Sequence, residues 1–345
     1  MAESLQLDES DVQELYFERG WTDGLPVIPP TPERVKAFLD AARLEPGEIL
    51  GEVRERVCTV SAEETAINAV MAGCRPDYAP VVVAGVRALL DPAYNANAAL
   101  TSTGGTAICV VVSGPYAAAI GMNSAHNCLG QGNRANATIG RALRLVAMNV
   151  VGAKVGVMDG SSLGNPGKYS LCFAESDPIA PWQPLRVELG YAVEDTTVTI
   201  LATEGPRQIA NILSGQPDEV LRTMASSIRA GHTYIAGKGG ECIVVLGPEH
   251  AAAVRDAGWT RAQARDYLVE QTMITEADLA AAGLPVESTG AHTMHARPDG
   301  RYATFRDPSD ILLVCAGGGG AGWSACIPAW APTNNSKAVT ELVRL

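Results

Sequence analysis

Basic residues, aromatic residues and long apolar runs are all in short supply in this 345-residue chain. Lys and Arg number 26 against 38 Asp and Glu, a formal charge of −12. So acidic a chain offers no basic footprint for nucleic acid or for an anionic membrane surface, and both are excluded as expected partners. No apolar run reaches the roughly 18 residues that a spanning helix needs, and even "AICVVV" is cut by Ser113-Gly114-Pro115. The opening "MAESLQLDESDVQELYFERG" is acidic and lacks the basic and apolar regions of an export signal. Eight cysteines are too few for a disulfide framework at this length. Cys109, Cys242 and Cys315 lie in apolar strand-like runs, where a free thiol behaves as a small hydrophobe. A reducing cytoplasm is the expected location. The five histidines include His126 and the pair His292 and His295, but no two-histidine zinc helix and no Cys-x-x-Cys. No metal site is predicted, and no cofactor is named.

What is present is an apolar, glycine-rich chain: 47% hydrophobic residues with 35 glycines. That is enough to bury a substantial core. "STGGTAICVVVSGPYAAAIG" from Ser102 is nearly repeated 133 residues later as "GKGGECIVVLGPEHAAAV", with Cys109 and Cys242 in register. Each copy reads as a buried β-branched strand, a tight turn, and a helix opened by proline, whose missing N–H would have no intrahelical partner at that position. "TVTILATEGPRQIANIL" repeats the punctuation at Gly205-Pro206, and "DILLVCAGGGG" is a weaker fourth junction. These junctions predict an α/β fold of two related strand–turn–helix halves, each of roughly 130 residues, with mixed sheets covered by helices. The expected division is an N-terminal arm and helix over 1–57, a first half over 58–190 and a second over 191–345. Residues 165–184, rich in Pro, Ser and Asp, are expected to form a long surface loop.

Several stretches carry candidate chemistry. In "LGQGNRANATIGRALRLV", Asn133 is a competent N-cap and a helix starts at about Arg134. A cation in the first turn opposes the helix dipole unless an anion sits opposite it. Asn133, Arg134 and Asn136 are therefore the candidate anion-binding corner, against the alternative that Arg134 pairs with one of the chain's own acids. "CAGGGGAGWSAC" delivers consecutive glycines after a strand, so Gly317, Gly318 and Gly319 are candidate substrate contacts, with Ser324 as a hydroxyl donor. The run fits the spacing of a dinucleotide fingerprint, a weak signal outside its βαβ context. Cys74 follows a helix beside Arg75, which favours thiolate, while the helix C-terminus opposes it; nucleophile and turn cysteine are both open readings. Lys168 and Glu175, with Asp159, are candidate proton-transfer groups, or simply solvated charges. Asp23, in "GWTDGLP", is a further acid.

The motifs "GWTDGLPVIPPT", "AINAVMAGCRP", "NRANATIGRALRL", "GNPGKYS" with Pro181-Trp182, and "GPEHAAAVRDAGW" resemble a bacterial protein family associated with the UGSC-motif (seleno)proteins. The resemblance spans most of the chain and implies that these loops form one site, but it brings no activity with it. No UGSC or Cys-Gly-Ser-Cys string is present, so thiol or selenol redox chemistry is not carried over. "TSTGGTA" is fainter in its similarity to cyanuric acid hydrolase and barbiturase, repeat-built amidohydrolases that need three serine–lysine copies where two repeats are found here.

The leading expectation is a soluble enzyme acting on a small anionic metabolite by lyase or hydrolase chemistry. Arg134, Asn133 and Asn136 would hold the anion, the glycine run would complete the pocket, and Cys74, Lys168 or Glu175 would attack or move protons. Two alternatives stand beside it: a non-catalytic small-anion binding or assembly protein, and a cysteine-based redox protein. A homo-oligomer is compatible with all three.

Overall fold

The computed structural model describes residues 9–230, 235–284 and 294–345. Helices α1 (Glu9–Glu18) and α2 (Pro32–Ala42) precede a small antiparallel hairpin of β1 (Ile49–Val53) and β2 (Cys58–Ser61). Next come α3 (Ala62–Ala72), α4 (Ala79–Leu90), α5 (Ala96–Thr101), β3 (Ala107–Ser113), α6 (Pro115–Ala119) and α7 (Arg134–Asn149). The middle of the chain forms β4 (Leu171–Ala174), α8 (Leu185–Glu188), β5 (Thr197–Thr203), β6 (Arg207–Ala210) and α9 (Pro217–Ala230). The last part forms β7 (Gly240–Leu246), α10 (Pro248–Asp256), α11 (Arg261–Gln271), α12 (Glu276–Ala281), β8 (Ile311–Cys315), β9 (Trp323–Pro332) and β10 (Val339–Leu342).

The main sheet is mixed, as an α/β fold of this pattern requires. Its order is β4-β3-β5-β9-β7-β8, with β10 added to β5 and β6 added to β9. The order reads alike from both ends. β4 runs parallel to β3 and β8 parallel to β7, while β5 is antiparallel to β3 and β9 antiparallel to β7. Cys109 on β3 faces Leu171 of its parallel neighbour, and Cys242 on β7 faces Ile311 of its own.

Strand periodicity divides the apolar residues between two cores. Ile108, Val110 and Val112 of β3 pack with α2, α3, α4 and α7 in the first. Ala107, Cys109 and Val111 face the other way, into a core shared with β7, β8, β9 and the helices α9 to α11. All of β3, β4 and β5 is consequently buried, and an apolar run with no polar alternation is what such strands need.

Two of the four strand–turn–helix junctions form as expected, at Gly114-Pro115 and Gly247-Pro248. The other two do not. Beyond Gly205-Pro206 the chain enters β6, because the segment 207–210 pairs with residues 323–326 of β9 in place of forming a helix. The glycine run after β8 also leads into a strand, β9, so the dinucleotide reading lacks its helix. Residues 165–184 are not one surface loop either: Leu171–Ala174 forms the buried edge strand β4, a four-residue apolar run too short to register against its polar flanks.

Local signals set the helix ends near the candidate residues. Ser61 and Glu64 form a reciprocal capping box at the start of α3, and Gly73 ends it with φ of 96°, a left-handed conformation that glycine adopts without strain. Asn133 caps α7 by accepting the Asn136 N–H at 3.0 Å. The N-terminal arm is held down by Arg141, whose guanidinium makes paired bonds of 2.7 and 2.8 Å to Asp23. The same arginine also donates to the Leu25 and Pro26 carbonyls. Asp23 is thus the anchor of the "GWTDGLP" turn on α7. No described helix is long and apolar enough to cross a membrane.

Candidate functional site

The sequence candidates separate into three places. Cys74 and Arg134 meet at one cleft, of about 320 Å3, lined by Ile28, Glu33, Arg34, Phe38, Val70, Gly73, Arg75 and Pro76 among others. Three motifs converge there. "GWTDGLPVIPPT" supplies Ile28, "AINAVMAGCRP" supplies Val70 to Pro76, and "NRANATIGRALRL" supplies Arg134, while α2 adds Glu33, Arg34 and Phe38. The floor is apolar and the rim carries three guanidinium groups. Arg134 donates twice to the Gly73 carbonyl, at 2.9 and 3.0 Å, which caps the C-terminal end of α3. That is how a cation is tolerated in the first turn of α7: it is drawn to the negative end of a neighbouring helix. Arg34 donates to the Pro29 carbonyl at 2.8 Å. Arg75 pairs with Asp77 and lies 5.0 Å from the Tyr78 ring centroid. Among the described residues, neither Arg34 nor Arg134 has a carboxylate within ion-pair distance.

The cleft lacks a group suited to attack. Burial pushes the Cys74 thiol up to about 12, against the opposing pull of the Thr138 side chain and the nearby Arg134 and Arg141. A buried, protonated thiol is a wall, not a nucleophile. Glu33 is held below the usual carboxyl range by its own backbone N–H and by Thr31, so it stays ionised. Asn133 and Asn136 are occupied elsewhere. Asn133 donates to the Gly121 carbonyl at 2.8 Å. The buried Asn136 amide binds Asn123 through both its N–H and its carbonyl and reaches the Cys128 carbonyl at 3.2 Å, fixing the 123–128 loop.

That loop leads to the second place, the C-terminal ends of the parallel strands. Gly317 N–H donates to the Ser124 carbonyl at 2.9 Å, and the His126 ring lies where a side chain on Gly318 would have to go. Ser176 N–H donates to the Cys315 carbonyl at 2.7 Å, bringing the end of β4 against the end of β8. Glu175 sits beside this contact. Its carboxylate accepts the Ser113 hydroxyl at 2.5 Å and the Leu185 N–H at 3.0 and 3.1 Å. Burial raises it to about 7, the bonds from Ser113 and Leu185 only partly offsetting that. Arg186, itself buried, joins the network through Ser113 and Asp177. Ser324, at the start of β9, hydrogen-bonds His250 at 2.6 Å.

Lys168 lies at the opposite ends of the strands. Its ammonium is 2.6 Å from both Asp159 and the Ser161 hydroxyl, and Arg144 reaches the same Asp159 oxygen at 2.5 Å. Burial would raise the Asp159 carboxyl, but Lys168, Ser161 and Arg144 outweigh it and hold it well below its ordinary range. An acid so stabilised is a poor base. In the same segment Gly160-Ser161-Ser162-Leu163-Gly164 has the Gly-x-Ser-x-Gly spacing, yet it lies in irregular chain and not between strand and helix, so it is no nucleophile elbow.

Cys74, Lys168 and Glu175 thus stand apart, each in its own hydrogen-bond network. All eight cysteines are free thiols, seven of them buried. Among the described residues no group of three or more His, Cys, Asp and Glu side chains is placed to hold a metal ion; His292 lies outside those residues. Two of the arginines that complete the cleft were missing from the predicted corner: Arg34, on α2, lies in none of the three motifs, and Arg75 lies in one of them but was weighed only as a neighbour of Cys74. The signal for them was the clustering of three motifs. No protein-family model matches the sequence, and no curated protein matches it significantly.

Proposed function

We infer that the protein binds a small organic anion in the cleft between α2, the end of α3 and the start of α7. The observation that carries this reading is the convergence of Arg34, Arg75 and Arg134 on one apolar-floored cleft in a chain of net charge −12. Guanidinium groups recognise carboxylate and phosphate in paired geometry, and the floor of Ile28, Phe38, Val70 and Pro76 suits a ligand with an apolar body. Glu33 on the rim selects against ligands whose negative charge extends to that side. Because Cys74 is protonated and Lys168 and Glu175 lie elsewhere, the cleft itself is read as a binding site, and the lyase or hydrolase expectation for these residues is not carried to it.

Calorimetric titration with succinate, benzoate and inorganic phosphate tests this. An organic carboxylate should bind more tightly than phosphate, and Arg34→Gln and Arg75→Gln should each weaken it about tenfold or more, the value of a charge-assisted hydrogen bond. These two positions are preferred because Arg134 also caps α3. Equal affinity in the wild type and both variants would remove the cleft from consideration, as would no binding by either carboxylate.

A further inference from the structure

A hydroxyl and an imidazole meet on the far side of the sheet ends, at a place independent of the arginine cleft. Ser324 Oγ and His250 Nδ1 are 2.6 Å apart, and His250 Nε2 lies 3.1 Å from the Asn211 carbonyl oxygen. A carbonyl can only accept, so Nε2 carries the proton and Nδ1 is left as the acceptor of the Ser324 hydroxyl. The tautomer is therefore set by the backbone, and the serine proton already points at a base. His250 is almost fully buried, so its ring is held in one orientation by these two bonds. The Glu249 carboxylate, next in the chain, is close enough to interact electrostatically with the His250 ring, so charge developing on the imidazole has an opposite charge nearby.

Ser324 is 7% exposed and stands among glycines. Gly247 N–H donates to its Oγ at 3.1 Å, and Gly317 packs over Gly247. Gly320 N–H is used by Glu249 at 2.6 Å and Gly317 N–H by Ser124, while Gly318 and Gly319 have no hydrogen-bond partner for theirs among the described residues. Around this bend stand exposed apolar side chains, Trp323, Ile212 and Leu213, the last 94% exposed. Asn211 ties them together, because its N–H donates to the Gly322 carbonyl and its own carbonyl holds His250.

We propose that Ser324 and His250 form an acyl-transfer centre for carboxylic esters with an apolar portion, served by the glycine bend 317–320. Ser324 Oγ attacks the ester carbonyl carbon and forms a C–O bond while its proton passes to His250 Nδ1. The tetrahedral intermediate collapses by breaking the bond to the alkoxy oxygen, which takes that proton and leaves as the alcohol. Water then attacks the acyl-serine, giving its proton to Nδ1; the acid departs and the proton returns to Ser324 Oγ. The Gly318 and Gly319 N–H groups are the available donors for the oxyanion.

Incubation of the full chain with a fluorophosphonate, read by intact mass and peptide mapping, tests the centre without requiring a variant. One adduct on Ser324 is expected, along with hydrolysis of p-nitrophenyl acetate and butyrate. Ser324→Ala should abolish both, and His250→Gln should slow labelling at least 100-fold, the scale of general-base catalysis. No adduct on the wild type, an adduct on another residue such as Ser161, or unchanged hydrolysis by Ser324→Ala would each overturn the proposal and leave the pair as a tether between α10 and β9. None of these results bears on anion binding in the arginine cleft, because the variants touch none of its residues.

Discussion

Replacing Asp159 with Asn should lower the unfolding free energy by about 3–5 kcal/mol, the cost of stranding buried charge. Asp159 is 3% exposed and its partners Arg144 and Lys168 are 6% and 14% exposed at their side chains. Removing the one carboxylate leaves two cations in contact in a medium that does not solvate them. The loss also spreads through the backbone. Asp159 accepts both the N–H and the hydroxyl of Ser161, and Ser161 in turn reaches the Gly104 carbonyl at 3.1 Å, so one attachment of the 159–168 segment to the chain before β3 would be weakened, with the Ser162 N–H bond to the Thr103 carbonyl remaining. Urea denaturation measures the effect. Adding Lys168→Met to the Asp159→Asn variant should recover part of the lost stability, since one of the stranded charges is then gone. A loss under about 1 kcal/mol for the single variant would mean that water reaches the cluster and the burial argument fails.

The same cluster shows why function was harder to read than fold. Lys168 beside a carboxylate looks alike in sequence whether the pair moves protons or holds two segments together; what distinguishes them is Arg144, fifteen residues upstream of Asp159 on α7. Asn136 was a natural ligand contact at a helix start, but its amide is consumed by Asn123, and that pairing depends on how the 114–132 connection folds back. Cys74 needed a depth that no local pattern conveys, and burial decides its protonation. Arg134 was expected to face a negative partner. That partner turned out to be the carbonyl end of α3, a dipole in place of an ion.

Fold was legible where one rule dominated. Apolar strand-like runs named β3, β5, β7 and β8, and the capping residue Asn133 named the start of α7. Legibility failed where a long-range partner chose the structure. The chain after Gly205-Pro206 is a strand because β9 has an edge to fill, and β4 is a strand because β3 lies beside it. The in-register cysteines do fall at corresponding places: Cys109 is the third residue of β3 and Cys242 the third of β7, and both are buried in the shared core.

Stability should fall as the pH rises from 5 to 8, opposite to the usual behaviour of carboxylates held by ion pairs. Glu175 and Glu241 are the cause. Burial lifts both to about 7, against the bonds from Ser113 and Leu185 in one case and from the Ala338 N–H in the other. A carboxyl whose folded value lies above its unfolded one binds its proton more tightly in the folded state, so its contribution is full below about 4.5 and is lost as the pH climbs through about 7. For Glu175, which is 7% exposed, the loss between those limits is roughly 3 kcal/mol. Glu241 is less deeply buried and adds a smaller share. Below pH 4 the trend reverses, because Asp159 and Asp278 are held under their ordinary range and resist protonation only in the fold. A stability maximum near pH 5 is the expected result of the two opposing sets. Glu175→Gln mimics the protonated acid and should flatten most of the decline above pH 5, raising stability at pH 8 relative to the wild type. Chemical denaturation at pH 5, 6.5 and 8 reads this directly. A wild-type profile that is flat or rising across that range, or a Glu175→Gln variant that keeps the full slope, would show that the bonds from Ser113 and Leu185, with the positive charge of Arg261, hold the carboxylate charged against the loss of water.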